Sequence, residues 1–410
     1  MKERDFIKTI NEIDGKAYIV GGWVRDKVMG REPHDKDYAV CGITETSFFE
    51  KFPKAKKVGS SFPVFLLLID GVQSEVAFAR TERKTGSGYT GFSVTFGREI
   101  TIEDDLYRRD TTMNSMAWDL QNSQIIDPYE GSCDIKNKTI RATSKHFLDD
   151  PVRALRAARQ SAQFGFVIEP YTLEMMNKCA KELSLEPKER IVEETTKALA
   201  SDNPSIYFRV LEETGLLSVI FPWLANLVGK TQSSEYHSEG NAFEHTMFVL
   251  DNVAKRTPRI EVRFAALVHD IGKSVTHEDT LPHHYEHKKI GLKVLKEIND
   301  VMTLPSLWYK CAEFAIKEHM RPFKINDPSK VVDLLVRLNK HPIRYDGFAA
   351  IISADNQGEL PDCLANYEEY MKAIHSSHDL KIPENLDGPK IGEWVRQKEI
   401  EAFKKAIIKP

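Results

Sequence analysis

The sequence predicts an α+β chain: an amino-terminal head on a mixed sheet, then a helical neck and body, then an all-α region. Three observations predict this. Residues 17–140 alternate short apolar strands with turns and only a few helices; from Asp149 to about Leu227 the pattern is helical; and helices resume beyond about residue 230, where histidines gather. The first sixteen residues read as a helical extension, 141–228 as the neck and body, Gly229 to Gly240 as a polar linker opening a region that runs to Asp355, and 356–410 as a helical tail. A chain of 410 residues accommodates two to four domains with sizeable cores.

The head begins with Tyr18-Ile19-Val20-Gly21-Gly22-Trp23-Val24-Arg25-Asp26, followed by Asp35-Lys36-Asp37. Lys16 to Val20 reads as a buried strand, Trp23 to Met29 as a helix stopped by Gly30, and Asp37 to Val40 as the next strand. Glycines let backbone amides approach a phosphate, and the start of the helix adds partial positive charge. Side chains alternate along an extended strand, so Asp35 and Asp37 are expected on one face, with Lys36 on the other. Two carboxylates held that close repel unless a cation lies between them, and Mg²⁺ takes a couple of carboxylates together with phosphate oxygens. A lone Asp-x-Asp is ordinarily a solvated edge; joined to the glycine turn in one strand–turn–helix–strand unit, it indicates nucleotide binding and transfer. Glu75, on the apolar strand Glu75 to Ala79, is the candidate third carboxylate.

Further along, Arg108-Arg109-Asp110 with Asn114 offers a guanidinium for phosphate and a carboxylate for a ribose hydroxyl. In Asp150-Pro151-Val152-Arg153-Ala154-Leu155-Arg156-Ala157-Ala158-Arg159, arginines recur every third residue along one side of a helix, with Asp150 at its entrance. An acceptor-only carboxylate beside a donor-only guanidinium can read the Watson–Crick edge of a base. One stretch beyond residue 230 holds His237, His245, His269, His277, His283, His284, His287 and His319, and within it Val268-His269-Asp270-Ile271-Gly272-Lys273 ends an apolar helix. Imidazoles mixed with carboxylates favour an open transition-metal site, and a hydroxide carried there could attack a phosphate ester.

These residues resemble the class II tRNA nucleotidyltransferases, the CCA-adding enzymes of the polymerase-β-like superfamily. Also similar are Gly59-Ser60-Ser61-Phe62-Pro63-Val64-Phe65, Ala79-Arg80-Thr81-Glu82-Arg83-Lys84, Gly86-Ser87-Gly88-Tyr89-Thr90-Gly91-Phe92, Asp104-Asp105-Leu106 and Ile126-Asp127-Pro128-Tyr129. The histidine region resembles the HD phosphohydrolases, and the whole chain is closest to the bacterial subgroup that fuses the two. The resemblance implies addition and repair of the tRNA 3′-terminal CCA from CTP and ATP, with pyrophosphate released by two-metal transfer. It places Mg²⁺ at Asp35 and Asp37, with Glu75 as their catalytic companion. It also implies nucleotide contacts at Gly22, Arg25, Arg109, Asp110, Asp150, Arg153, Arg156 and Arg159, with Asp150 and Arg153 reading the base. In the histidine region it implies a metal such as Ni²⁺, Mn²⁺ or Co²⁺ at His245, His269, Asp270 and Asp355. His284, His287 and His319 are left for a second metal or the substrate phosphate. Phosphatase and 2′,3′-cyclic phosphodiesterase activities follow. The chain departs from the family in having Asp149-Asp150 where Glu-Asp is common, and Trp23 where a small residue is frequent.

A formal charge of −4 argues against an indiscriminate polycation, while leaving room for a local basic stripe. Five scattered cysteines, none in Cys-x-x-Cys, read as reduced thiols of a cytoplasmic protein. The run Val64 to Ile69 is too short to span a membrane, and no signal peptide is expected. Two other readings compete: a poly(A) polymerase of the same superfamily, and a phosphohydrolase whose head only binds RNA. The HD region and the lack of a long basic tail disfavour the first; intact Asp35, Asp37, Arg109, Asp150 and Arg153 disfavour the second. The sequence carries no indication of oligomeric state.

Overall fold

Seven strands form the sheet of the head: β1 (Lys16–Val20), β2 (Asp37–Cys41), β3 (Lys56–Val58), β4 (Val64–Ile69), β5 (Val72–Phe78), β8 (Ala117–Asp119) and β9 (Gln124–Ile126). They lie in the order β3-β4-β5-β2-β1-β8-β9. The sheet is mixed, because β2 and β5 run parallel whereas the other neighbours are antiparallel. Between its members, β6 (Arg80–Lys84) and β7 (Phe92–Phe96) make a separate ribbon, and β10 (Thr139–Ile140) pairs with β11 (Val167–Ile168). The computed structural model describes residues 1–58, 64–84, 86, 92–232, 240–384 and 386–407. The motif stretches 59–63 and 87–91, and His237, lie outside the described residues.

The central strands β1 and β2 read as nearly continuous apolar runs because both faces of the sheet are covered there. On one face Tyr18, Val20, Ala39 and Ala117 pack with Ile102 and Leu106 of helix Ile102–Tyr107. On the other, Phe48, Phe65 and Phe78 pack in tilted and edge-on contacts with ring centroids 4.9 to 5.5 Å apart. The amino-terminal helix Glu3–Asn11 packs against the sheet as well: Phe6 and Ile10 are fully buried, and Phe6 touches Tyr38 and Phe52. Its Glu3 accepts hydrogen bonds from Lys36 Nζ (2.8 Å) and Tyr38 Oη (2.6 Å), which holds the entry to β2.

The chain divides into two units, Met1–Ala198 with Ile206–Ile220, and Leu199–Ser205 with Phe221–Pro410. The first contains the sheet, helices including Val152–Phe164 and Pro170–Lys178, and all but the last residue of helix Lys188–Leu199. The second is helical among its described residues. Its helix Ile260–Val268 is buried from Val262 to Val268, as an element apolar all round must be, and it delivers His269 at its end. Helices Ala242–Ala254, His287–Met302, Ser306–Glu318 and Arg344–Asp355 belong to the same unit. The carboxyl-terminal helix Pro389–Ile407 buries Phe403 against Tyr370, and its Glu399 pairs with His378 at 2.9 Å. Among the described residues, no helix is long and apolar enough to cross a membrane.

Candidate active sites

The ladder of the head sheet brings three distant segments to one point. Val20 is opposite Asp37, and Asp37 is in register with Glu75 on the parallel neighbour β5. Gly21 follows at once with φ +72°, so the chain turns away from the sheet and leaves the ends of β1 and β2 open. A side chain at Gly21 would meet Arg109 Nη1 at 3.5 Å and Asp37 Oδ2 at 4.0 Å. At Gly22 it would meet Arg25 Nη2 at 3.4 Å.

Asp35 is the exception to strand alternation. β2 begins at Asp37, because β1 ends at Val20 and offers no ladder partner further out. Asp35 therefore lies in irregular backbone two residues ahead of the strand, and its carboxylate reaches Asp37 through space rather than along a pleat. Burial first, then Glu75 and Asp35, push the Asp37 carboxyl above its ordinary value, while Arg109 opposes them. A buried carboxyl held back from ionising, with two further carboxylates beside it, gains from a divalent cation, so this set fits one.

Asp105 and Asp110 organise the cations around these carboxylates. Asp105, buried, accepts from Arg108 and from Arg109 Nε (3.1 Å) and Nη2 (2.9 Å); both arginines hold it well below the usual carboxylate range against the cost of burial. Asp110 is equally occupied. Its Oδ1 accepts from Thr111 N (2.8 Å) and Asn114 Nδ2 (3.1 Å), and its Oδ2 from Arg156 Nε (2.7 Å) and Gln160 Nε2 (3.4 Å). Asn114 in turn accepts from Arg25 Nη1 at 2.9 Å. Arg25, Asn114, Asp110 and Arg156 thus form one chain from the glycine-turn helix to helix Val152–Phe164.

That helix starts at Val152, whose N–H donates to Asp150 Oδ1 at 3.1 Å. Arg153 turns inward and donates to His146 O (2.7 Å), and Arg159 binds Glu194 (2.6 Å). Asp150 and Arg153 stand one turn apart as their spacing predicts, but their side chains are not paired with each other. Asp150 Oδ2 accepts from Arg190 Nη2 at 2.8 Å, and Arg190 also binds the buried Glu186. Arg156→Ala would leave Asp110 buried without its main counter-charge, an expected loss of roughly 3–5 kcal/mol by urea unfolding. Arg156→Lys should recover part of that loss.

In the second unit, Asp270 is the hub. Its Oδ2 lies 3.5 Å from His269 Nε2 and 3.9 Å from His245 Nε2; its Oδ1 lies 3.4 Å from His319 Nε2 and 3.5 Å from His287 Nε2. His245, His269 and Asp270 form one group of ligand atoms within 4.8 Å of one another, and Asp270, His287 and His319 form another. Asp355 Oδ1 completes the first side, 3.0 Å from His245 and 3.6 Å from His269. The Nδ1 atoms of His269, His287 and His319 each face a backbone carbonyl, of Ala266, His284 and Ala315. Donation there fixes the tautomer and turns an Nε2 lone pair toward Asp270.

Buried lone pairs facing a buried carboxylate call for a cation. His269 Nε2, Asp270 Oδ1 and His287 Nε2 are buried with no hydrogen-bond partner, so the residues fit a metal. Without one, a proton takes the place: burial lowers the His269 pKa, but Asp270 and Asp355 outweigh it and lift it to about 9. His284 stands outside both groups, its ring nitrogens engaged with Thr276 Oγ1 (2.8 Å) and Thr231 O (3.0 Å). Gly272 is needed for close approach, since a Cβ there would overlap the carbonyl oxygen of His287. Gly272→Ala should displace His287 and weaken metal binding by about tenfold, read by calorimetric titration of the intact chain.

Residues 17–141 match the family described as Poly A polymerase head domain, 165–227 that described as Probable RNA and SrmB-binding site of polymerase A, and 242–401 the HD domain. The Multifunctional CCA protein of Acinetobacter baumannii (strain AYE) is 38% identical over 404 residues, covering 95% of this chain and 97% of its own. The chain belongs to the multifunctional CCA protein family. The Mannheimia succiniciproducens member is 39% identical, covering 88% of this chain and 89% of its own. In fold, the chain is similar to the Bacillus stearothermophilus CCA-adding enzyme in complex with CTP. That likeness has a TM-score of 0.68 at 24% identity and covers 98% of this chain and 92% of that one. A CCA-adding enzyme with ATP gives 0.63 at 21%, covering 98% and 91%.

Three residues of the two sites in this family member receive no role from sequence reasoning. Asp105 carries a usable signal in its spacing, three and four residues ahead of Arg108 and Arg109. Lys273, whose Nζ lies 2.5 Å from Asp270 Oδ2, closes the Val268 to Lys273 motif, yet nothing in the motif itself assigns it a role. Arg190 has no local signal: it meets Asp150 across 40 residues of chain.

Proposed function

We propose that this chain adds and repairs the 3′-terminal CCA of tRNA without a template, drawing on CTP and ATP and releasing pyrophosphate. The observation that carries the reading is the register of Asp37 with Glu75 beside the Gly21 turn and Arg109, in a chain of this family. Divalent cations, Mg²⁺ foremost, would be held by Asp35, Asp37 and Glu75, and when bound supply the charge that acidifies the tRNA 3′-hydroxyl and offsets the phosphates. Arg109, anchored by Asp105, faces the turn and is suited to a phosphate of the nucleotide. Arg25 and Arg156 share the Asp110 network, which fixes their direction. Asp150 keeps an acceptor at the helix entrance, one turn from Arg153, and the pair is suited to the base edge once Arg190 gives up its hold. Supplied singly to tRNA lacking its 3′ end, CTP should yield two added cytidines and ATP none; tRNA ending in CC should take one adenosine. Addition of either nucleotide without order would count against the reading.

The same chain carries a second proposed activity, metal-dependent hydrolysis of phosphomonoesters and 2′,3′-cyclic phosphodiesters at the Asp270 hub. The four imidazoles around one carboxylate support Ni²⁺, Mn²⁺ or Co²⁺ there. None of the five cysteines forms a disulfide, which together with a tRNA substrate supports a cytoplasmic setting.

A further inference from the structure

A cavity of about 390 Å³ lies in the second unit, within the roughly 300–1,000 Å³ of small-molecule sites. One wall is a stripe of helix Ala242–Ala254 and its end, Phe248, Asn252 and Arg256; the other is Ser353 with the turn at Gln357. The helices behind these walls are the ones that present His245 and Asp355, whose side chains meet at 3.0 Å. Phe248 is one turn past His245, and residues at that spacing have Cβ atoms roughly 5–6 Å apart. Ser353 and Gln357 each stand two residues from Asp355. The cavity is therefore walled by the same two elements that carry His245 and Asp355, whose own side chains do not line it.

Its lining suits a nucleotide. Phe248 leaves 41% of its surface open, so its ring is accessible to a ligand in the cavity. Arg256 is exposed, and its guanidinium donates to Asn252 O (2.7 Å); among the described residues no carboxylate pairs with it. The amides of Asn252 and Gln357 and the Ser353 hydroxyl add donors and acceptors, and no acidic side chain lines the walls. A ring for stacking, a guanidinium without a carboxylate partner for phosphate, and neutral polar groups together match a nucleoside phosphate.

We propose that this cavity is the nucleoside seat of the phosphohydrolase, which rests on reading the Asp270 hub as hydrolytic. The ligand is a nucleoside 2′,3′-cyclic phosphate, free or at the end of an RNA. Its base stacks on Phe248, and at an RNA end Arg256 holds the preceding phosphodiester. In the reaction a water oxygen bonds to phosphorus as the P–O2′ or P–O3′ bond breaks, and the proton lost by the water ends on the departing oxygen.

The test compares wild-type protein with Phe248→Ala and Arg256→Ala on adenosine 2′,3′-cyclic phosphate, a short RNA ending in the same group, and p-nitrophenyl phosphate. Phe248→Ala should lower kcat/KM for the nucleoside substrates about tenfold relative to p-nitrophenyl phosphate. It should weaken binding of adenosine 3′-phosphate in EDTA by a similar factor. A loss on Arg256→Ala confined to the RNA identifies an RNA end as the substrate; no loss on either identifies the free nucleotide. Unchanged ratios and unchanged binding in EDTA would overturn the proposal. If wild-type protein hydrolyses none of the three, the hydrolytic reading fails by itself, and binding in EDTA then decides whether the cavity holds a nucleotide.

Discussion

Asp37→Asn is expected to abolish nucleotide addition and, in the same protein, to raise the thermal midpoint measured without metal. The activity loss should be on the order of a thousandfold or more, because the carboxylate is a proposed ligand for charge worth several kcal/mol in the transition state. The stability gain follows from the Asp37 pKa, which burial, Glu75 and Asp35 raise above its unfolded value. A raised carboxyl pKa contributes stability below the unfolded pKa, and that contribution is lost as pH rises through the folded one. At neutral pH the wild-type protein therefore carries an unfavourable ionised group, and the asparagine variant does not. The difference in midpoint should shrink as pH falls toward the carboxylate range. Added Mg²⁺ should raise the midpoint of the wild-type protein and not that of the variant. Calorimetry from about pH 4 to about pH 8, with and without Mg²⁺, reads all of this; a variant less stable than wild type throughout would contradict the account.

Asp270→Ala is the second large effect. Asp270 is buried among four imidazoles and Lys273, itself buried with its Nζ on Asp270 Oδ2. Removing the carboxylate strands that ammonium, at an expected cost of roughly 3–5 kcal/mol. Asp270→Asn keeps the volume and two hydrogen-bonding atoms, so it should be the milder in urea unfolding yet equally inactive in hydrolysis. The wild-type carboxyl is held well below the usual range, by Lys273 and His269 against burial. Stability linked to it is therefore present at neutral pH and lost on acidification. Equal unfolding free energies for the alanine variant and wild type would show that Lys273 does not depend on Asp270.

What the sequence discloses is what is local. Strands β1 and β2 are legible because apolar residues run unbroken between Lys16 and the glycine turn and resume after Asp37. The apolar helix ending at His269 is legible for the same reason. Pairings across the chain are not. The register of Asp37 with Glu75 depends on β5 adding in parallel to β2, and no spacing within either strand encodes it. Alternation puts Asp35 on a strand that starts only at Asp37, since ladder length is set by the partner and β1 stops at Val20. The spacing of Asp150 and Arg153 gives their separation of one turn, but partner choice is decided by Arg190 on another helix. Asp110 reads as a free acceptor in a polar run; burial against helix Val152–Phe164 fills its oxygens with protein donors. Among the eight histidines between 237 and 319, the resemblance singles out His245 and His269, and only the fold separates His287 and His319 from His284.

The most direct measurement of the central claim is sequencing the products made from a tRNA lacking its 3′ end, with CTP and ATP both present, by wild-type protein and by Asp37→Asn. The account predicts a single CCA on every extended wild-type product and no extension by the variant. A long run of adenosine would contradict it in favour of a poly(A) polymerase, and no extension by wild-type protein would reduce the head to an RNA-binding module.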